Sequence, residues 1–238
     1  MEITSSFKNN RIRPHSLRVG RYTEKNMFVN KIGYDHLSIG MNCQDYGFEL
    51  PDYKVKVVAD GCSEGLHSEV GAKTFCHLLS KGYDIEQAFS SLVAVYGQTI
   101  EDMKNFLCFT YLSVTESNEY FITSNCGDGF LILEDNEGNI SFVELTDGEY
   151  PKYYIYNYID KKYLSHYTDG VSVENKLFSK EEYKNVGIAS DGLRFIVNAD
   201  EDIKHEFIEF LKSGKAVKIK RFINRNQKLF RDDITIVF

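Results

Sequence analysis

The chain has 238 residues, 42% apolar and 26% charged, with a formal net charge of −7. That balance belongs to a soluble globular protein long enough to bury a substantial core, and its acidity argues against nucleic acid as the partner. With only 3 Pro and no apolar stretch of membrane-spanning length, a Pro-rich tail and a membrane partner are argued against as well.

The five cysteines, Cys43, Cys62, Cys76, Cys108 and Cys126, form no C-x-x-C pair and have no His at zinc-finger spacing. They read as reduced thiols of a cytoplasmic protein. The first thirty residues carry Lys and Arg throughout, so no signal peptide is expected.

In chain order, residues 1–26 read as an irregular arm or edge strand, and 27–238 as one domain. Met27 to Leu50 looks like two strands around a turn. A strand from Lys54 to Ala59 stops at Asp60-Gly61. A helix is expected from about Ser68 to Leu79. A second, longer one follows the capping box of Asp84 and Gln87, because Ile85, Phe89, Leu92, Tyr96, Ile100, Met103 and Leu107 keep a three-and-four spacing. Short apolar runs from Phe109 to Val143 predict an antiparallel meander. Tyrosines crowd 150–167, between the Asp-Gly turns at Asp147 and Asp169, and read as aromatic cover of an edge strand, with substrate recognition as the sharper alternative. A strand at Val186–Ala189, a helix at about Asp202–Leu211, a basic helical stretch to Ile223 and a strand at Ile234–Phe238 close the chain. Lys212, Lys215, Lys218, Lys220, Arg221, Arg225, Lys228 and Arg231 fit a solvated helix face, or a docking surface for acidic partners. Helices grouped between meandering strands predict an α+β layered fold.

Five Asp-Gly pairs occur, at Asp60, Asp128, Asp147, Asp169 and Asp191. Asp-Gly is a common tight turn, but Asp60, Asp128 and Asp191 each end an apolar run in small residues. Small residues let backbone and cation approach, and the following Gly can offer its carbonyl. Asp45 and Asp232 stand just before strands. Five carboxylates at the rim of one sheet system would repel and be costly to bury unless hard divalent cations held them together. All-oxygen ligation favours Mg²⁺ or Mn²⁺, and a pair of such ions about 3.5–4 Å apart suits phosphate-ester hydrolysis.

The segments Asn42-Cys43-Gln44-Asp45, Val57-Val58-Ala59-Asp60-Gly61, Asn125-Cys126-Gly127-Asp128, Ile188-Ala189-Ser190-Asp191-Gly192-Leu193 and Asp232-Asp233-Ile234-Thr235, with Gly33 to His36 ahead of them, resemble the metal-dependent type 2C serine/threonine protein phosphatases, most of all the compact bacterial-type branch. The resemblance implies a four-layer αββα sandwich, two antiparallel sheets flanked by helix pairs. It implies Asp60 and Asp45 as the catalytic pair, Asp60 bridging two metals with the Gly61 carbonyl as a further ligand, Asp191 and Asp232 on one metal, and Asp128 with Asp191 on a weaker third ion. It also implies Mn²⁺ or Mg²⁺ as cofactors, a phosphorylated protein as substrate and a cognate kinase as partner.

Three positions depart from the family pattern. Cys62 stands where many members have a proton-donating His, with His67 or His36 as substitutes. Ser38, Met41 and Asn42 stand where many have a phosphate-gripping Arg, and Gly-Asp-Gly replaces Gly-Asp-Ser. These departures motivate the alternative of a catalytically weak or inactive regulatory module on the same fold. A hydrolase of a small phosphorylated metabolite is the third reading.

Overall fold

The computed structural model describes residues 27–50 and 54–238, so the expected N-terminal arm lies outside the described residues. Ten strands form two antiparallel five-stranded sheets. The first has the order β1 (Phe28–Lys31), β10 (Ile234–Val237), β9 (Tyr183–Ala189), β6 (Gly129–Asp135), β7 (Ile140–Leu145). The second has the order β2 (Tyr46–Leu50), β3 (Val55–Gly61), β4 (Phe109–Glu116), β5 (Tyr120–Cys126), β8 (Glu174–Ser179).

Side-chain alternation stacks the layers. In β3, Val58 faces the opposite sheet, whereas Val57 and Ala59 face helices. In β6, Leu131 and Leu133 point between the sheets, while Phe130 and Ile132 point outward to the other helix layer. Helices α2 (Ser68–Ser80), α3 (Ile85–Tyr96) and α4 (Ile100–Leu107) cover the second sheet through Phe75, Phe89, Leu92 and Leu107. After the short helix α5 (Arg194–Val197), α6 (Glu201–Lys212) and α7 (Ala216–Arg225) cover the first through Phe207, Leu211, Ile219, Phe222 and Ile223. The result is the α+β sandwich with helices outside that the motifs implied.

Four local expectations are corrected. The strands before Leu50 do not pair around a turn: β1 and β2 belong to different sheets, and a short helix α1 (Tyr34–Ile39) joins them. The single long helix is two. The Asp84–Gln87 capping box starts α3 as expected, but the helix ends at Gly97, and Thr99 Oγ1 accepts the Asp102 amide at 3.0 Å to start α4. Its apolar spacing runs on because both helices bury their stripes in the same core. The meander divides at Asp128, where the chain leaves β5 in one sheet and enters β6 in the other. The tyrosines do not cover an edge strand from within it. Tyr154, Tyr156, Tyr158 and Tyr163 lie on 3₁₀ turns at Tyr154–Tyr158 and Lys161–Tyr163, with Ile155 fully buried and the Tyr154 ring 4.7 Å from that of Phe89, and the edge strand β8 follows them. The basic side chains of α7 are exposed, as expected of a solvated face.

Candidate metal centre

Each acidic residue is delivered by the end of a strand. Asp60 is the penultimate residue of β3, opposite Thr110 of β4. Asp45 precedes β2, Asp191 follows β9 and opens a 3₁₀ turn, Asp232 precedes β10, and Asp128 links β5 to β6. The two sheets bring these ends together. The carboxyls of Asp60 and Asp45 lie within hydrogen-bonding reach of one another, as do those of Asp60 and Asp191. Asp60 also feels the charge of Asp232, and Asp191 those of Asp232 and Asp128. The five carboxylates, from residues 45 to 232, are linked through these charges, Asp60 to Asp45, Asp191 and Asp232, and Asp191 to Asp128.

Gly61 ends β3 without room for a side chain: a Cβ there would stand 2.6 Å from Ser68 Oγ and 2.9 Å from the Gln44 carbonyl. The Gly-Asp-Gly departure has a backbone cause. Gly127 and Gly129 flank Asp128 with φ of 104° and 132°, and a Cβ on Gly129 would meet the Ala189 carbonyl at 2.8 Å. A serine at 129 would be strained in this turn.

The electrostatics are those of crowded acids. Burial, the charge of Asp233 and, more weakly, that of Asp191 raise the Asp45 carboxyl to about 8, against hydrogen bonds with Asp60 and Ser190 that lower it. Burial and the charges of Asp232 and Asp128 raise Asp191 to about 6, and burial first, then Asp45 and Asp191, pushes Asp60 well above the usual carboxylate range. Burial also raises Asp128, opposed by Arg194. Two carboxyls in contact need either a shared proton or a cation between them. Asp45 Oδ1 is buried and, among the described residues, has no hydrogen-bond partner. An all-oxygen donor set with an unpartnered buried carboxylate oxygen fits hard divalent cations.

The sign of the pH dependence follows. In the metal-free protein, Asp45 and Asp191 hold protons that the unfolded chain releases near pH 4. The stability they contribute is fully present below that pH and is lost as pH rises through about 6 and 8. EDTA-treated protein is expected to melt roughly 3–6 °C lower at pH 8.5 than at pH 5.5, and Mn²⁺ to raise Tm more at pH 8.5. Differential scanning fluorimetry checks this. A Mn²⁺ effect equal at both pH values contradicts it.

Three residues beyond the expected set complete the centre. Asp233 is 2% exposed; its Oδ1 accepts the Gly33 amide at 2.7 Å and its Oδ2 the Gln44 amide at 2.6 Å, with His36 Nδ1 at 3.1 Å. His36, Asp232 and Asp233 offer ligand atoms within 4.8 Å of one another, but both Asp233 oxygens are already engaged by backbone amides, so this group is a clamp on the segment leading to Asp45. Ser190 Oγ donates to Asp45 Oδ2 at 2.6 Å and accepts the Thr235 amide at 2.9 Å. Arg194 places Nη1 3.4 Å from Asp191 and Nη2 3.9 Å from Asp128, with Nε donating to Glu144 at 3.0 Å. The doublet Asp232-Asp233 and the serine before Asp191 were visible in the sequence, but their partners lie far away along the chain.

Of the two histidines considered for Cys62's place, His36 Nδ1 lies 4.0 Å from Asp232, whereas His67 is exposed and packs its ring 4.9 Å from Phe106. Asp147 accepts the Lys152 amide at 2.7 Å in a turn and feels the charge of Asp128, while Asp169 is exposed beside Lys161. Past the end of β3 lies a cleft of ≈ 720 Å³ whose walls include Cys62, Glu64, Lys104, Tyr153, Tyr156 and Tyr163.

Two antiparallel sheets packed between helix layers define the architecture, and the comparisons name its family. Residues 32–229 match the protein phosphatase 2C family, and the chain belongs to it. No curated protein matches at the sequence level. Among solved structures, the protein is similar to a bacterial serine phosphatase at 15% identity and TM-score 0.58, covering 90% of this chain and 96% of that one. It is similar to the serine/threonine phosphatase Stp1 from Staphylococcus aureus at 14% identity and TM-score 0.56, covering 90% and 93%. It is also similar to the catalytic domain of the serine/threonine protein phosphatase PstP in complex with two manganese ions, at 17% identity and TM-score 0.58, covering 89% and 95%. At these identities the likeness is one of fold.

Proposed function

We propose that the protein hydrolyses phosphoserine and phosphothreonine esters in proteins, with two divalent cations, Mn²⁺ or Mg²⁺, held by Asp60, Asp191, Asp232, Asp45 and the Gly61 carbonyl. The observation that carries this reading is the crowding of buried acids around Asp60, whose carboxyl is raised by the charges of Asp45, Asp191 and Asp232, an arrangement that cations relieve. Family membership and the serine/threonine phosphatases that share the fold support the substrate class.

Bound there, the ions would supply Lewis acidity toward phosphoryl oxygens and a more acidic water. The chain's own residues orient the centre. Ser190 fixes one oxygen of Asp45 and leaves the other, Oδ1, buried without a hydrogen-bond partner among the described residues. Asp233 anchors the backbone of Gln44, directly ahead of Asp45. Arg194 neutralises the Asp128–Asp191 pair, so a third ion at that pair would compete with a guanidinium already in place. A phosphorylated protein is then the substrate, and a kinase acting on the same protein is the expected counterpart. Among the described residues no helix is long and apolar enough to cross a membrane.

The test is phosphate release from phosphothreonine, phosphoserine and phosphotyrosine peptides by purified protein with Mn²⁺. The expected outcome is turnover on the first two that EDTA abolishes and added Mn²⁺ restores. No metal-dependent release from any peptide contradicts the proposal and favours the non-catalytic regulatory module.

A further inference from the structure

The turn after Asp60-Gly61 brings two of the cysteines into one place. The β3–β4 ladder runs to Gly61 opposite Phe109, and one step further the Cys62 amide donates to the Cys108 carbonyl at 2.9 Å. Cys62 and Cys108 thus face each other one step past the end of the ladder, joined by a single backbone hydrogen bond. Residues facing each other across an antiparallel pair have Cα atoms about 4.5–5.5 Å apart, inside the roughly 4.4–6.8 Å that a disulfide spans. Both are free thiols, and both line the same cleft. Tyr153, on the same wall, feels the charge of both sulfurs. The other cysteines are engaged elsewhere: Cys43 with Asn30 and Asp45, Cys126 with the Lys152 carbonyl, and Cys76 in the core at 0% exposure.

We propose that Cys62 and Cys108 form a reversible cross-strand disulfide that acts as a redox switch on the neighbouring carboxylate cluster, the switching part resting on the phosphatase reading above. The oxidant is a small disulfide of the glutathione class. The half-buried Cys62 opens the exchange, since Cys108 is buried at 6% exposure and out of reach of a bulky disulfide. The Cys62 thiolate attacks one sulfur of oxidised glutathione, and one glutathione leaves as thiolate. The Cys108 sulfur then attacks the Cys62 sulfur, the mixed disulfide breaks, and the second glutathione leaves. Two cysteine thiols are oxidised, one glutathione disulfide is reduced, and the two protons lost by the cysteines pass to the two glutathione thiolates.

The link to the cluster is covalent on one side and hydrogen-bonded on the other. Cys62 follows Gly61 directly, and its carbonyl accepts Gln44 Nε2 at 3.1 Å and Ser68 Oγ at 2.9 Å. Gln44 in turn precedes Asp45. A bridge at Cys62 therefore pulls on the backbone of both Asp60-Gly61 and Gln44-Asp45.

The experiment treats the full chain with oxidised glutathione, blocks remaining thiols with iodoacetamide in denaturant, and maps peptides by mass spectrometry. The expected result is a Cys62–Cys108 cross-linked peptide that dithiothreitol removes and that Cys62→Ser and Cys108→Ala lack. Separate alkylated or glutathionylated Cys62 and Cys108 peptides, or a cross-link through another pair, overturn the bond. In parallel, oxidised wild type is expected to lose phosphopeptide turnover several-fold and to recover it with dithiothreitol, while Cys62→Ser, which lacks the attacking thiol, is unaffected by oxidant. Unchanged turnover with the bond mapped overturns the switch. Absence of turnover in the reduced protein counts against the phosphatase reading, and the bond is still judged by the peptide map.

Discussion

Asp60→Asn is expected to lower Mn²⁺-dependent phosphate release by roughly 10³-fold or more, since a lost ligand forfeits several kcal/mol of charge stabilisation. Asp60 is the hub of the cluster: its carboxyl meets those of Asp45 and Asp191 and feels Asp232. An amide keeps the shape and one carbonyl oxygen but removes the charge that two cations would share. The same change relieves repulsion in the metal-free protein, because a neutral group replaces one of several crowded acids. The variant is therefore expected to melt at or above the wild-type temperature in EDTA, while gaining less from Mn²⁺. That combination separates loss of the centre from loss of the fold. Turnover within tenfold of wild type contradicts the role given to Asp60, and kinetics on a phosphothreonine peptide with melting curves read both effects.

Asp233→Ala is expected to cost about 3–5 kcal/mol of stability, because it strips acceptors from two buried backbone amides and a carboxylate from buried His36. Those amides belong to Gly33 and Gln44, 200 and 189 residues away in the chain, so one side chain ties the C-terminal strand to the segment that presents Asp45. At this chain length the loss corresponds to a drop in Tm of roughly 6–15 °C. Asp233→Asn keeps one acceptor oxygen and is expected to lose about half as much. A change within 2 °C for the alanine variant contradicts the clamp. Turnover in both variants is expected to fall through a weaker metal dependence, visible as a higher Mn²⁺ concentration for half-maximal rate, because Asp45 loses the anchor beside it.

What was legible beforehand follows from which interactions are local. Asp60, Asp128 and Asp191 declared themselves because small residues and a following Gly mark a strand that ends against something close, and Asp45 and Asp232 joined them as acids standing just before strands. The capping box at Asp84 was legible for the same reason, since both partners lie within one turn. The break at Gly97 was not, because α3 and α4 bury their stripes in one core and keep the spacing of a single helix. Sheet membership was hidden as well: β4 and β5 carry the same alternation as β6 and β7, and only the strained glycines around Asp128 mark where the chain changes sheets. Asp233, Ser190 and Arg194 act through partners reached across the fold, and Arg194 supplies a guanidinium at the cluster from a position where no arginine was sought. The tyrosine turns gave no periodic signal because their rings pack on α3 and around the cleft, not on one regular face.

The most direct test of the whole account is the position of bound manganese. Crystals grown with Mn²⁺ and measured for anomalous scattering at the manganese edge are expected to show two peaks among Asp60, Asp191, Asp232 and Asp45, with the Gly61 carbonyl in contact. No peak there, or manganese held only at His36 and Asp233, would contradict the assignment of this rim as the metal centre.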